Sequence, residues 1–564
     1  MGKTISEKIS RGLSLFGLLF FLISWVIPGH YPPWPSFQQE ILAASGFFLF
    51  GISVLVGGGR RIFYWPTSSL LILALTFFPA IQWLAGQIHY LSGLMLPIGY
   101  LVGFSLAVVF FYNGIRGDSK NPEWILRWFS VLILAASISV GLALFQWQGA
   151  SIFWLADVRP GGRPYANIGQ PNHLATLCGL GLVGVWLLYE VQTVSSRIAW
   201  LLIGWLILGL TMTQSRTGWL FFVSLMGFGW FFRRRIAFRT PDHAWWWGMV
   251  AFISLILFWP WVNSLLLISL ESPWDERISA GTRGPLWSGL LEAIERAPWF
   301  GWGWGQTSTA QHAVALDQDV GQRMLNYAHN IFIDFCLWIG VPSALFLLGG
   351  FLVWISHQVR ACRSPLQVAA LGSILVITVH SLTEYPLAYL YFLLPLGMFV
   401  GILEAHRGSC RIYVHGKWVF ALLMLVGFLA GVIIYDHDRF EGSELHVRMS
   451  QAKIGDDADR PVEIPKALLL DQVEAYQRLR LVPARSGMSE AELEEMKFIV
   501  QQHPYPPALL RYALAIALND RPQQAHAELL ALCHLHPSVR CDEARTSWRL
   551  AQERYPNLKE VAAP

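Results

Sequence analysis

Along most of the chain, long apolar runs alternate with short polar breaks. Thirteen runs stand out, near 11–29, 38–57, 66–86, 91–114, 128–147, 173–191, 198–213, 217–232, 246–269, 330–356, 365–383, 386–405 and 418–435. A bilayer core of roughly 30 Å takes about 20 residues of helix per crossing. The pattern therefore predicts an all-α, polytopic integral membrane protein with about 12–13 transmembrane helices.

Three segments break the pattern: 148–172, 270–329 and the tail. We expect a membrane domain over 1–435, with large external loops at 148–172 and 270–329, and a C-terminal helical domain over 436–564. Loops this long are usually functional or disordered, and 270–329 is too rich in Trp, Gly and Leu for disorder. In the tail, SEAELEEMKFIVQQHP places Glu492 three residues after Ser489, a capping-box spacing. His-Pro closes an apolar-periodic segment at 503–504 and again at 536–537, an offset of 33, close to the 34-residue period of helix–turn–helix repeats. A small tetratricopeptide-like domain is expected there, suited to protein contact more than to chemistry.

Composition agrees with the span pattern: 54% of residues are apolar and 14% charged, against roughly 25% charged in soluble domains. Lys and Arg resist translocation, and their distribution is lopsided. Alternate loops beginning at the N-terminus carry eighteen, from Lys3 to Lys417; the opposite set carries seven: Arg159, Arg163, Arg216, Arg277, Arg283, Arg296 and Arg323. The N-terminus is thus expected in the cytoplasm and, with an odd number of spans, the tail outside. The first run continues through Trp25 with no small-x-small site before IPGHYPP, so it reads as a retained anchor, not a cleaved signal. The net charge of +4 is mostly a topology signal. No basic motif suited to RNA or DNA appears, so no nucleic-acid partner is expected. Of six cysteines, Cys178, Cys336, Cys362 and Cys410 fall in or beside apolar runs as small apolar side chains. Cys533 and Cys541, eight apart in the external tail, are placed to pair or to stay free.

Every strongly polar cluster outside the tail falls on the predicted external side: 161–173, 213–219, 277–287, 301–306, 326–330 and 380–386. Their convergence on one face is the argument for a site. RPYANIGQPNHLAT crowds Arg163, Tyr165, Asn167, Gln170, Asn172 and His173 into eleven positions at the mouth of an apolar run. A guanidinium holds phosphate oxygens bidentately and keeps its charge in a low dielectric, so Arg163, Arg216 and Arg283 suit a lipid-borne diphosphate. The plainer reading is that each anchors to lipid headgroups or a loop carbonyl. His329, at a helix start, is a base candidate near neutral pH, or simply a structural hydrogen-bonder. His380 and Glu384, one helical turn apart, are placed to satisfy each other. Tyr385, before Pro386, either orients a substrate or belongs to the interfacial aromatic belt. GWGWGQ lacks the strand and helix of a nucleotide loop, although Trp302 and Trp304 are suited to stacking on sugar faces. No histidines have metal-protease spacing, and His173, His312 and His329 would meet only through tertiary structure. No metal is expected.

These stretches together resemble a known family. GRPYANIGQPNHLAT, TQSRTGW, GTRGPLW followed by PWFGWGWGQ, AHN and EYPL, in this order, resemble bacterial protein O-oligosaccharyltransferases. Their superfamily also holds O-antigen ligases and polymerases. The resemblance covers roughly 150–405 well and the rest mainly by topology; QPNH and AHN are its most specific stretches. It implies an enzyme of the bacterial inner membrane that transfers a finished glycan from undecaprenyl diphosphate, on the periplasmic side, to a hydroxyl of a protein such as a pilin. By resemblance, His329 matches the essential histidine of the long periplasmic loop, Gln170 and Tyr385 match positions implicated in substrate handling, and Arg216 and Arg283 match arginines thought to meet the diphosphate. One departure stands out. Trp338 occupies the place, nine residues after that histidine, where the family often has Glu, and Asp334 is the only nearby acid.

The implied mechanism makes His329 the base. Arg216 and Arg283, with Arg163, clamp the diphosphate. Gln170 and Asn172 order the loop or the sugar, and Tyr385 positions the donor. No cofactor is implied, because the lipid-linked oligosaccharide is a substrate. Two other readings remain open: an O-antigen ligase or polymerase with a lipid A core or glycan acceptor, and a transporter of the lipid-linked glycan. A transporter would place its ionisable groups near the bilayer midplane, whereas these lie towards one surface.

Overall fold

The computed structural model describes residues 5–57, 61–117, 123–158, 162–266, 268, 283–320, 323–407, 412–454 and 462–564. They form two compact units. One comprises Met1–Leu75, Gly99–Glu276 and Leu352–Gly431; the other comprises Thr76–Ile98, Arg277–Phe351 and Val432–Pro564.

The apolar runs all appear as helices. In chain order they are α1 (Ile5–Val26), α2 (Phe37–Gly57), the successive pair α3 (Thr67–Ala74) and α4 (Phe77–Leu84), α5 (Leu91–Gly117), α6 (Glu123–Trp147), α7 (Pro171–Glu190), α8 (Ser196–Met212), α9 (Arg216–Arg233) and α10 (Asp242–Leu265). Later come α14 (Val341–Ala361), α15 (Pro365–Ser381), α16 (Leu390–Arg407) and α17 (Gly416–Ala452). Among the described residues, ten helical segments are long and apolar enough to cross a membrane, and α8 and α15 are shorter apolar helices. The chain is an all-α polytopic membrane protein.

One predicted run differs. The stretch 330–356 breaks at Gly340 into α13 (Ile331–Ile339) and α14. Gly340 has φ 81°, and a Cβ there would sit 2.2 Å from the Trp299 carbonyl oxygen. Only glycine tolerates that conformation and that approach together. The Val341 amide then donates to Pro298 O at 2.8 Å. The membrane-length helix is therefore α14, and α13, at nine residues, is too short to cross.

In the first unit α7 is central, with fifteen of its twenty residues buried. Small residues let its neighbours close in. A Cβ on Gly179 would meet the Phe221 ring of α9 at 2.7 Å, and one on Gly181 would meet Ala136 of α6 at 2.9 Å. The pattern of apolar runs gave no sign of a sheet, yet β1 (Ile62–Trp65) pairs antiparallel with β2 (Ile412–His415), from Ile62 opposite His415 to Trp65 opposite Ile412. The Asn113 amide ties down the backbone of Tyr64, accepting from its N–H at 2.9 Å and donating to its carbonyl at 2.8 Å.

The second unit packs the long loop and the tail around one core. Loop helices α11 (Arg283–Arg296) and α12 (Thr307–Ala315) join α13 and tail helices α18 (Asp471–Leu481), α19 (Glu490–Gln502), α20 (Pro506–Ala517), α21 (Pro522–Leu535) and α22 (Ser538–Arg554). Leu290, Val314 and Leu337 share that core with Leu509, Leu529 and Trp548. The composition boundary at 435/436 falls inside α17, which runs unbroken from Gly416 to Ala452. Ser489 and Glu492 form the expected capping box. His503 and His536 each end a tail helix, and the His536 ring donates to Pro504 O at 2.7 Å. Cys533 and Cys541 are disulfide-bonded, which joins α21 to α22. Loop and tail are also tied by polar groups. His312 Nε2 lies 2.9 Å from Glu528 Oε2, and His534 Nδ1 donates to Ala315 O at 2.7 Å.

Candidate active site

In the first unit, the polar segment that opens α7 divides into residues that build the loop and residues that edge it. Asn167 builds: it is fully buried, accepts from the Ala156 amide at 2.9 Å, and donates to Val26 O at 2.7 Å and Trp154 O at 2.9 Å. Gln146, outside the segment, holds its other side. Its Oε1 accepts from the Tyr165 and Ala166 amides at 2.9 and 2.7 Å. Tyr165 donates its hydroxyl to Asp157 O at 2.5 Å. Ala166, Asn167 and Ile168 are buried, so the backbone there cannot draw on bulk water and side chains supply the partners.

The remaining polar side chains form a network. Asn172 Nδ2 donates to Glu384 Oε1 at 3.1 Å, while its Oδ1 accepts from the Ser215 hydroxyl at 2.7 Å and from Arg163 at 3.3 Å. Arg163 Nε also donates to Thr213 O at 2.8 Å. Gln170 Nε2 reaches Glu384 Oε2 at 3.5 Å. Ser215 caps α9 by accepting from the Gly218 amide, which places Arg216 at the first position of that helix. Arg216 is exposed and makes no ion pair with a described residue. A helix N-terminus and a guanidinium together favour an anion. Tyr385 stacks on Tyr389 at 5.9 Å, and Tyr389 on Tyr391 at 5.3 Å.

The local His380–Glu384 pairing suggested by their spacing does not form. His380 Nδ1 meets the Thr176 hydroxyl at 2.8 Å, and Glu384 turns instead to the amides of Gln170 and Asn172. Both histidines of this unit's core, His173 and His380, are buried with rings 5.5 Å apart. His173 Nδ1 lies 3.2 Å from the Tyr391 hydroxyl. Glu384 and Ser215 join the candidate site through these bonds, and sequence reasoning did not assign either to it.

In the second unit, His329 stands on the turn before α13 with φ 56°, a left-handed conformation that is uncommon for a residue other than glycine. It is half-buried. Its neighbours are pinned. The buried Ala328 donates its N–H to Asp334 Oδ1 at 2.9 Å and accepts at its carbonyl from Trp287 Nε1 at 3.1 Å. Asn330 caps α13 by accepting from the Phe332 and Ile333 amides at 3.0 and 3.3 Å. Asp334 Oδ1 accepts also from the Thr307 hydroxyl at 2.8 Å, and that oxygen in turn accepts from Trp338 Nε1 at 2.8 Å. Burial pushes the Asp334 carboxyl up from 3.8 to about 7, against the opposing pull of the Ala328 amide and the Thr307 hydroxyl.

The glycines of GWGWGQ serve geometry. Gly301, Gly303 and Gly305 all have positive φ, and a Cβ on Gly301 would meet Leu337 O at 2.5 Å. Trp302 donates its indole N–H to Ala293 O at 2.8 Å. Trp304 packs 5.4 Å from Trp338 and 5.9 Å from Phe335. Both tryptophans are only partly buried. Arg283 is the first residue of α11; its side chain lies outside the described residues.

Three family models match the chain: protein glycosylation ligases over 164–189, O-antigen ligases over 200–348, and the C-terminal part of virulence factor membrane-bound polymerases over 368–551. The first covers the segment that opens α7, and the second covers Arg216 through His329 and Asp334. The chain is also 28% identical over 559 residues to the General O-oligosaccharyltransferase of Acinetobacter baylyi, spanning 93% of this chain and 92% of that one. The chain is thus similar to O-antigen ligases and protein glycosylation ligases. A second relative, the ComP-specific O-oligosaccharyltransferase of the same organism, is 27% identical over 418 residues, 72% of this chain and 73% of that one.

Proposed function

We propose that this protein is a protein O-oligosaccharyltransferase of the O-antigen ligase superfamily. It is a glycosyltransferase that moves a preassembled glycan from undecaprenyl diphosphate to a Ser or Thr hydroxyl of an acceptor protein such as a pilin. The observation that carries this reading is the likeness to the General O-oligosaccharyltransferase along 93% of the chain, tail included. The protein lies in the inner membrane with its N-terminus in the cytoplasm and the two polar clusters and tail in the periplasm, as the eighteen-to-seven bias of basic residues supports.

The chemistry assigns each group a task. His329 takes the proton of the acceptor hydroxyl as its oxygen attacks the anomeric carbon. The bond from that carbon to the diphosphate oxygen breaks, and the lipid diphosphate leaves with the electron pair. Arg216, with Arg163 and Arg283, offsets the charge that grows on the leaving group. Gln170 and Asn172, joined through Glu384, order the loop edge against the sugar. Tyr385 positions the donor, and Trp302 and Trp304 offer faces to the glycan. The lipid-linked oligosaccharide is a substrate, and no cofactor enters.

The test is co-expression with a lipid-linked glycan pathway and a pilin-like acceptor, read by intact mass. A glycan-sized increment on the acceptor should appear with the native protein and fall at least about 100-fold with His329→Ala, within the usual range for a lost general base. Glycan appearing on the lipid A core, with the acceptor unmodified, would instead establish the ligase reading that two of the family models also suit.

A further inference from the structure

His329 needs an exact bearing to act as a base, yet it sits in a strained left-handed turn at the half-buried edge of a loop. Strain of this kind persists only where the surroundings over-determine it. Here the surroundings act on the preceding residue. Both backbone groups of Ala328 are held by side chains, the N–H by Asp334 and the carbonyl by Trp287. Asp334 is itself fixed from a second helix, since Thr307 at the start of α12 donates to the same oxygen and receives the Trp338 indole N–H. Side chains of α11 and α13 thus hold the two peptide groups that flank Ala328, and α12 braces Asp334 from behind, next to the imidazole.

We propose that Asp334 is a positioning residue for His329, acting through its hydrogen bond to the Ala328 amide and not through charge on the imidazole. The proposal rests on the reading of His329 as the base. The sequence position nine residues beyond His329 holds Trp338, and in this chain Trp338 serves the clamp from behind, through Thr307. The atom that matters is one acceptor oxygen. Oδ1 takes both donors, and an amide oxygen in the same place has the two lone pairs to accept both. A carboxylate acting by charge has no such substitute.

The experiment measures glycan transfer by the detergent-purified full chain, using a synthetic polyprenyl-diphosphate-linked oligosaccharide and a Ser-containing pilin-like acceptor. It compares the native protein with Asp334→Ala, Asp334→Asn, Trp287→Phe and His329→Ala over pH 6 to 9. We expect Asp334→Ala to lower kcat by about 10- to 100-fold with KM for the acceptor within about threefold, the cost of a misplaced reacting group. Asp334→Asn should return to within about threefold of the native kcat, with the acid limb of its pH profile unmoved. Trp287→Phe, which keeps the ring and removes the other hold on Ala328, should lower kcat about threefold or more, and it decides the matter if Asp334→Ala does not fold. Asp334→Asn as inactive as Asp334→Ala, or an acid limb displaced in Asp334→Asn, would overturn positioning in favour of a charge effect. Native rates in both Asp334→Ala and Trp287→Phe, with His329→Ala inactive, would also overturn it while leaving the base intact. An active His329→Ala would instead sink the reading of the base itself.

Discussion

At the scale of single residues, the molecule separates polar groups that build from polar groups that face outward. Asn167 and Gln146 spend all their capacity on backbone, whereas Arg216 stands exposed at a helix N-terminus. Arg216→Ala should therefore leave the melting temperature in detergent almost unchanged and lower glycan transfer by about 10- to 100-fold, with Arg216→Lys between the two; a large melting shift would recast it as structural. Asp334 carries a pH prediction. Its folded pKa, about 7, lies above the ordinary 3.8, so the protonated form is the one that folding favours. Its contribution is complete below about pH 4 and is lost as pH rises through about 7. Asp334→Asn does not titrate, so its stability relative to the native protein should climb between about pH 4 and pH 7 and level off above that. Identical pH slopes in the two would show that the carboxyl keeps its ordinary pKa. The sequence made His329, Arg216 and the QPNH stretch visible, because polar residues at the mouth of an apolar run are conspicuous. It hid their partners. Glu384 and Asn172 are 212 positions apart, and the tempting local pairing of Glu384 with His380 lost to that distant one.

At the scale of elements, continuous apolar runs were enough to place the membrane helices, because burial in lipid or protein is what such runs record. It failed at 330–356, where one glycine decides the outcome. Gly340→Ala adds a Cβ 2.2 Å from Trp299 O at a positive φ. It should destabilise the loop by about 1–3 kcal/mol and reduce transfer, which limited proteolysis of the long loop would report alongside activity. A rise in protease resistance would contradict the account. The pair of strands was also illegible, since two four-residue segments, each lying between apolar helices and some 350 positions apart, carry no periodic signal of their own. In the tail, the capping box was readable from spacing alone, but the spacing of Cys533 and Cys541 left their pairing open until the α21–α22 turn brought them together. Replacing both cysteines by serine should lower tail stability by about 2–3 kcal/mol, the loop-closure expectation for so short a ring, measured by melting with and without reductant.

At the scale of the whole molecule, the tail is no detachable module. Its Leu509, Leu529 and Trp548 share a core with Leu290, Val314 and Leu337 of the loop that bears His329, and His312 meets Glu528 in that core. Helical periodicity and the recurring His-Pro marked the tail as a small helical domain suited to protein contact, and neither reports which other segment a core is shared with. Deleting residues 466–564 should therefore abolish transfer to every acceptor, not only to proteins, because the loop loses its support. A truncated chain that still glycosylates any hydroxyl would show the loop to be self-sufficient.

The pairing of β1 with β2 has a consequence for time. Its two strands lie some 350 positions apart, so the first is made early and stays unpaired until nearly all the membrane helices between them have been synthesised. Long-range closure of this sort is slow and comes late. The first unit is in that sense fastened last, by a clasp between its oldest and youngest parts, and a chain interrupted before residue 412 never closes it.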